Sequence, residues 1–206
     1  MSLHLIDHPL AHDALMELRD VRTAPPEFRR AATRISLLLT AEALRSVHTV
    51  VTTVTTPLGP ANGRVVRSDI VVVPVLRAGL SMVDAVLQLV PSARVGHIGL
   101  QRDETTAVAS RYYSKLPPDI GDSHILMVDP MLATGGSSAA AIDLVKAAGA
   151  RSIALVCVIS ALEGVALLQR THPDVDIYTP VVDRELNAHK FIVPGLGDFG
   201  DRLYGT

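Results

Sequence analysis

The sequence predicts an α/β fold in which a mostly parallel sheet is flanked by helices. The main observation is a set of short apolar runs that alternate with stretches of helical periodicity, a pattern typical of strands covered on both faces by helices. The chain has 206 residues, of which 48% are hydrophobic, so its length is nearer one domain than two and its apolar content supports a sizeable core. We therefore expect a single domain over residues 1–206.

Two helices are predicted before the sheet. Apolar residues recur at intervals of three and four between about residues 9 and 46, and Pro25 and Pro26 mark the start of the second helix. Residues 48–56 are rich in Val and Thr, which favours a strand that ends at Pro57.

The rest of the chain carries the strands and helices of the predicted sheet. The apolar runs that we interpret as strands are residues 70–76, 93–100, 124–129, 152–159 and 175–182. The stretches with helical periodicity include residues 81–90, 138–148 and 162–171. Ligands of such sheets bind beyond the carboxyl ends of the strands, so the polar residues that follow each run are the candidate site.

The composition argues against several classes of function. The chain has 19 Lys and Arg against 21 Asp and Glu and lacks Trp, so it has neither the basic excess nor the aromatic content typical of nucleic-acid binding. The mean hydropathy is +0.31, but the longest apolar runs are far shorter than the roughly 20 residues that span a bilayer. The N-terminus does not resemble a signal peptide. We expect a cytoplasmic protein without nucleic-acid or membrane partners, and a buried thiol at Cys157.

The most informative segment begins at His124. A predicted strand ends at Asp129, and Thr134-Gly135-Gly136-Ser137-Ser138 opens a helix that stops at Gly149. Glycines at a strand-to-helix turn allow backbone N–H groups to face an anion, and the hydroxyls add donors, which indicates a phosphate site. Because a carboxylate repels phosphate, Asp129 is expected to bind sugar hydroxyls or metal-bound water. The alternative is an ordinary turn in which glycine serves only the backbone.

Other phosphate-binding motifs do not fit. The sequence lacks the G-x-x-x-x-G-K-[ST] pattern of P-loop enzymes. Residues 195–200 match G-x-G-x-x-G, but the six residues that follow are too few for the helix and strand of a dinucleotide-binding unit.

Two more polar segments follow predicted strands, Arg77-Ala78-Gly79 and Arg102-Asp103-Glu104. The two arginines are expected at the same edge of the sheet as the glycine turn, where guanidinium groups suit phosphate oxygens. The alternative is that Arg77 caps its strand and that Arg102 pairs with the neighbouring acids at the surface.

Several motifs together resemble the uracil phosphoribosyltransferases. They are VDPMLATGGS, PVLRAGLSM, GLQRDETT, YYSKLP and the C-terminal IVPGLGDFGDRLYGT, and they occur in collinear order over nearly the whole chain. The resemblance implies the type I phosphoribosyltransferase fold, with N-terminal helices and a C-terminal hood segment, here residues 192–200. It implies transfer of ribose 5-phosphate from 5-phospho-α-D-ribose 1-diphosphate (PRPP) to N1 of uracil, which yields UMP and diphosphate in pyrimidine salvage.

The resemblance also implies roles for individual residues. The expected PRPP-binding residues are Arg77, Arg102, Asp129, Pro130, Met131, Leu132, Ala133, Thr134, Gly135, Gly136, Ser137 and Asp198. The expected uracil-binding residues are Ile192, Gly197, Asp198 and Phe199. Catalysis is expected to depend on Asp129, Arg77, Arg102 and Asp198, and it stays open whether Asp198 accepts the N1 proton or orients substrate. Magnesium is expected to arrive with PRPP rather than at a protein metal site.

The resemblance further implies a homo-oligomer, a dimer or higher, and GTP as an allosteric effector. The chain departs from the usual family pattern at Gln101, at residues 107–110, and at Lys190 and Phe191, which bears on the arm between residues 102 and 115 and on the effector response. Two alternatives stay open: a phosphoribosyltransferase-like RNA-binding regulator, and a transferase for another base such as hypoxanthine or orotate.

Overall fold

The computed structural model describes residues 2–102 and 109–206. The elements of the first half are β1 (Leu3–Leu5), α1 (Pro9–Arg19), α2 (Pro25–Ala43), β2 (Thr49–Thr56), β3 (Gly59–Val66), β4 (Ile70–Leu76), α3 (Leu80–Leu89), β5 (Arg94–Val95), β6 (His97–Arg102) and β7 (Ala109–Lys115). Those of the second half are β8 (His124–Val128), β9 (Met131–Leu132), α4 (Gly136–Ala147), β10 (Ser152–Val156), β11 (Ile159–Ala161), α5 (Leu162–Thr171), β12 (Asp176–Thr179), β13 (Val182–Asp183), β14 (Glu185–Leu186), β15 (Ile192–Val193) and α6 (Phe199–Tyr204).

The central sheet has the order β1-β12-β10-β8-β4-β6-β7, with the short β5 also paired to β4. Its pairings are parallel except for the antiparallel pair β6 and β7. The predicted α/β fold with a mostly parallel sheet is therefore confirmed. The parallel strands end at one edge, so the residues that follow β4 and β8 are neighbours.

The continuous apolar character of the strands has a direct structural cause. In β4 and β8, successive side chains alternate between two cores: Val72 and Leu126 belong to the core shared with α1, α2 and α3, whereas Val71 and Ile125 belong to the core shared with α4 and α5. Because helices cover both faces, neither face of these strands can be polar.

The predicted helices are confirmed with small shifts at their ends. Helix α2 begins at Pro25, and α5 has the predicted bounds. Helix α4 begins at Gly136, two residues before the predicted start, after Gly135 with φ +82°. Gly149 follows α4 with φ +100° and ends it as the sequence indicates.

Three of the predicted strands are divided in the structure. The runs 93–100, 152–159 and 175–182 each form two strands rather than one. After β10, and again after β12, the chain leaves the central sheet. It then forms β11 and β13 of a small parallel sheet of order β13-β11-β9. An apolar run cannot reveal such a division, because both sheets are buried.

Strand β2 continues through a turn into β3, a strand that the sequence did not indicate. The two strands form an antiparallel hairpin that is separate from the central sheet. Valines on it are exposed, among them Val51 and Val54.

Two smaller expectations can be compared with the structure. Cys157 is buried, as predicted, and this burial raises the pKa of its thiol. Within the described ranges, none of the helices has the length and apolar character needed to cross a membrane.

Candidate active site

The candidate residues converge at the carboxyl edge of the central sheet. Arg77 directly follows β4, and Asp129 directly follows β8, the parallel neighbour of β4. Arg102 is the last residue of β6, which pairs with β4 on the other side. The backbone of Arg102 is thus at the expected edge, but its side chain, like Asp103 and Glu104 entirely, lies outside the described residues.

The turn between β8 and α4 forms one wall of a cavity at this edge. The predicted residues among its lining are Arg77, Asp129, Met131, Ala133, Thr134, Gly135 and Ser137. A side chain at Gly135 would be strained by its φ of +82° and would place Cβ 3.0 Å from the carbonyl oxygen of Gly164 in α5. Glycine at Gly135 is therefore required by the backbone and by close packing against α5.

Asp129 is the acidic side chain that lines this cavity. It is partly exposed, and Ser138 Oγ donates a hydrogen bond to its Oδ2 at 3.3 Å. The N–H of Met131 donates to Oδ1 at 3.5 Å. Burial outweighs these bonds and raises the pKa of Asp129 to about 6. At neutral pH the carboxylate is mostly ionised and can accept hydrogen bonds from hydroxyl groups.

Arg77 extends over the opening of the same cavity. Its side chain is 64% exposed, and its Nη2 lies 3.8 Å from Asp201 Oδ1. The turn that carries it depends on Gly79, where a Cβ would lie 2.5 Å from the carbonyl oxygen of Val128 and 2.7 Å from that of Val75. The guanidinium group thus stands on a closely packed turn, and among the described residues its contact to an acid is long and exposed, so it can bind an anion.

The hood segment forms a second cavity beside the first. Its lining includes Ile192, Gly197 and Asp198 of the hood segment, together with His189, Lys190 and Phe191. A third cavity is lined by Arg77, Ala78, Met131 and residues 198–200. Met131 lines all three cavities and Asp198 lines two of them, so the turn between β8 and α4, Arg77 and the hood segment border three adjoining cavities.

Asp198 and Phe199 face different environments. Asp198 is exposed and caps α6, because its Oδ1 accepts a hydrogen bond from the N–H of Asp201 at 2.9 Å. The Phe199 ring is 1% exposed and packs edge-on against Phe28, with the ring centroids 5.0 Å apart. Phe199 therefore reaches the cavity through its main chain, while its ring holds the hood segment on the core.

The described candidate residues thus fall into two groups. Pro130 and Leu132 are buried, and Gly136 begins α4. Apart from Arg102, each of the other candidates lines at least one of the three cavities. Sequence reasoning missed His189, which lines the second cavity. Nothing in the local sequence marks His189, because only the pairing of β14 with β15 brings the intervening loop to the cavity.

The chain has the fold of the phosphoribosyltransferases. A hypoxanthine-guanine phosphoribosyltransferase of Bacillus anthracis has the same fold, with a TM-score of 0.52 and 12% identity over 77% of this chain and 80% of that chain. A protein of Aquifex aeolicus is far more similar, with a TM-score of 0.94 and 34% identity over 99% of this chain and 98% of that one.

The family is shown by sequence. The family model for uracil phosphoribosyltransferase matches residues 5–206, and the chain belongs to that family. It is 52% identical to the uracil phosphoribosyltransferase of Dictyoglomus thermophilum over 98% of both chains. It is 46% identical to that of Thermus thermophilus over the full length of both. The expected enzyme class, a pentosyltransferase, is confirmed with the family.

Proposed function

We propose that this chain transfers the 5-phosphoribosyl group of PRPP to N1 of uracil and releases UMP and diphosphate. The observation that carries the proposal is that three adjoining cavities share Met131, so that the turn between β8 and α4, Arg77 and the glycine-rich hood segment lie together. These three parts match the phosphate, the diphosphate and the base of the two substrates.

The turn between β8 and α4, residues 129–137, suits the 5′-phosphate and ribose of PRPP, and we call it the phosphate turn. Residues 134–137 supply N–H groups and hydroxyls at the start of α4, where the helix dipole favours negative charge. Asp129 lines the same cavity, so its carboxylate is available to accept hydrogen bonds from the ribose hydroxyls. This acceptor strengthens its hydrogen bonds as the ribose becomes positively charged in the transition state.

Arg77 suits the diphosphate. When the bond between C1 and the diphosphate oxygen breaks, negative charge collects on the leaving group, and a guanidinium fork stabilises that charge without losing its own. We propose the same role for Arg102, on the grounds of its position at the end of β6.

The hood segment suits the base. Uracil presents alternating acceptor and donor groups, which the main-chain N–H and C=O groups of Ile192 and residues 197–199 can complement. As the bond between N1 and C1 forms, N1 loses its proton. Asp198 lines two of the cavities and uses Oδ1 to cap α6, so we propose that its Oδ2 either accepts this proton or orients the substrate while the departing diphosphate accepts it.

Magnesium is proposed to enter bound to PRPP, where it would neutralise diphosphate charge. In the described part of the chain no group of three or more His, Cys, Asp or Glu side chains could hold a metal ion. Asp129, partly exposed in the cavity, offers a carboxylate to magnesium-bound water, which fits a metal that the substrate carries.

The proposal is tested by incubating the protein with PRPP, magnesium and one base at a time. Uracil is expected to yield UMP and diphosphate, whereas hypoxanthine and orotate are expected to yield no nucleotide. Conversion of another base without uracil would refute the assignment of the base. Retention of RNA at moderate salt without any transferase activity would favour the regulatory alternative.

Three further proposals accompany the activity: a cytoplasmic location, a homo-oligomer that is a dimer or higher, and activation by GTP. The exposed valines of the β2–β3 hairpin support self-association. Sedimentation equilibrium measures the assembly. Initial rates with and without GTP at subsaturating PRPP test the effector.

A further inference from the structure

A buried ion pair lies behind the hood segment, outside the cavities that surround the proposed substrates. The Arg19 guanidinium donates to both carboxylate oxygens of Asp183, at 2.9 Å and 2.7 Å. The side chains are 17% and 5% exposed, so this pair is shielded from solvent, unlike the surface ion pairs of the molecule.

The pair is bonded to the backbone of the hood segment. The N–H of Gly195 donates to Asp183 Oδ2 at 2.8 Å, and Arg19 Nη1 donates to the carbonyl oxygen of Gly195 at 2.8 Å. Burial raises the pKa of Asp183, but the hydrogen bonds from Arg19 and Gly195 outweigh it and hold this pKa below its usual range. The carboxylate is thus ionised, and both of its oxygens accept hydrogen bonds.

The hood segment needs such an external support. Gly195 and Gly197 have φ of +61° and +83°, and glycine has the largest conformational freedom of any residue. A Cβ at Gly195 would lie 2.0 Å from the carbonyl oxygen of Ile192, so the loop also turns back closely on itself. The bonds to Gly195 restrict this freedom on one side of Gly197, and on the other side Phe199 is buried in the core.

The two partners connect the hood segment to two parts of the fold. Arg19 is the last residue of α1, where the helix dipole favours a cation. Asp183 ends β13, which is joined through β11 to β9. Because β9 contains Met131, the same small sheet carries a wall of the substrate cavities and the support of the hood segment.

We propose that Arg19 and Asp183 are positioning residues for the nucleobase: by holding Gly195, they fix the main chain of Gly197, which lines the second cavity. The inference rests on the proposed function, since it takes that cavity as the site of the base. It assigns a base-recognition role to two side chains that do not touch the base.

The test compares Arg19→Met, Asp183→Asn and the double variant in steady-state kinetics with PRPP and uracil. Each is expected to raise KM for uracil by roughly ten- to a hundredfold, because a displacement of about 1 Å in a supporting group can cost about 10²-fold. The dissociation constant of PRPP, measured without uracil, is expected to stay within about threefold of wild type, because the hydrogen bonds described for the pair go to Gly195 and not to residues 129–137.

Two features separate positioning from general stabilisation. The double variant is expected to be no worse than the worse single variant, because the two side chains act as one unit. Arg19→Lys keeps the charge but not the fork, so its KM for uracil is expected to lie between those of wild type and Arg19→Met. This milder variant also provides a measurement if Asp183→Asn does not fold.

The matched control is Arg34→Met. Arg34 of α2 pairs with Asp13 and Glu17 of α1, the helix that also carries Arg19, but the Arg34 side chain is 45% exposed, so both kinetic constants are expected to be unchanged. An unchanged KM for uracil in the Arg19 variants, equal losses for uracil and PRPP, or additive losses in the double variant would overturn the inference. Failure of the wild-type protein to form UMP would instead overturn the proposed function.

Discussion

Asp129 combines two requirements that oppose each other. It lies in a closely packed cavity that raises its pKa to about 6, yet its proposed task requires an ionised carboxylate. Ser138 and the N–H of Met131 supply only long hydrogen bonds, so much of the accepting capacity of Asp129 is left for a ligand.

Replacing Asp129 by Asn tests this role. The shape is nearly unchanged, so the fold is expected to be kept, while the loss of an acceptor that strengthens in the transition state is expected to lower kcat by about 10²–10³. Turnover is measured with saturating PRPP and uracil. A decrease in kcat of less than about threefold, far smaller than the expected loss, would show that Asp129 does not act on the transition state.

The raised pKa of Asp129 also predicts a pH dependence. Protonation below about pH 6 removes the acceptor, so kcat/KM for PRPP is expected to fall about tenfold per pH unit there. Since the pKa of Asp129 in the folded state lies above its usual value of 3.8, the folded state binds the proton more tightly, and this group's effect on stability becomes less favourable as pH rises from 3.8 to about 6. The acidic limb of the pH profile should be absent in Asp129→Asn; its persistence would assign it to another group.

Arg77 is expected to bind PRPP without contributing to the stability of the fold. Its contact to Asp201 is long and both side chains are more than half exposed, so its replacement by Ala should not affect folding. The affinity for PRPP is expected to fall by about 1.5–3 kcal/mol, the usual effect of losing hydrogen bonds to a charged group.

Isothermal titration with PRPP in the absence of uracil measures the effect of Arg77→Ala. Arg151→Ala is the control, because Arg151 is also exposed, has a 3.9 Å contact to Asp122, and lies at the start of β10, at the opposite edge of the sheet. Equal affinities in the two variants would show that Arg77 does not bind PRPP.

The sequence predicted the strands, helices and turns that have a local signal. The phosphate turn was identifiable because Asp129 and the glycines are contiguous and stand between a strand and a helix. Strand β3 was missed because Gly, Pro and Asn interrupt it and its partner β2 does not join the core. The ion pair of Arg19 with Asp183 joins residues 164 positions apart, so no local pattern could indicate it.

The hood segment provides a prediction about base recognition. Gly197 has φ +83°, and a Cβ there would have Arg202 Cδ at 3.5 Å as its nearest neighbour. Gly197→Val therefore strains the backbone and adds bulk beside the second cavity. We expect KM for uracil to rise while the affinity for PRPP is kept, the reverse of Arg77→Ala. Loss of PRPP affinity alone in Gly197→Val would contradict the assignment of the two cavities.

For the whole molecule, the two cores share the central sheet. The first core includes Leu18 of α1, Phe28 of α2, Leu126 of β8 and Phe199 of α6. The strands that supply this core supply the second core from their other face. A fold in which the N-terminal helices and the C-terminal helix close one face of the sheet has no obvious boundary, which is the physical basis for proposing one domain over residues 1–206.

This arrangement predicts one cooperative unfolding transition in calorimetry, with equal calorimetric and van't Hoff enthalpies at a fixed protein concentration. Phe199→Ala removes a ring that packs on Phe28 and is expected to cost about 3–5 kcal/mol, which lowers the midpoint of the entire transition by roughly 6–20 °C. Phe191→Ala is the matched control, because that ring is 45% exposed and its loss should move the midpoint little. Two separate transitions, or a shift of only part of the transition in Phe199→Ala, would mean that the C-terminal helix and the sheet unfold as different units.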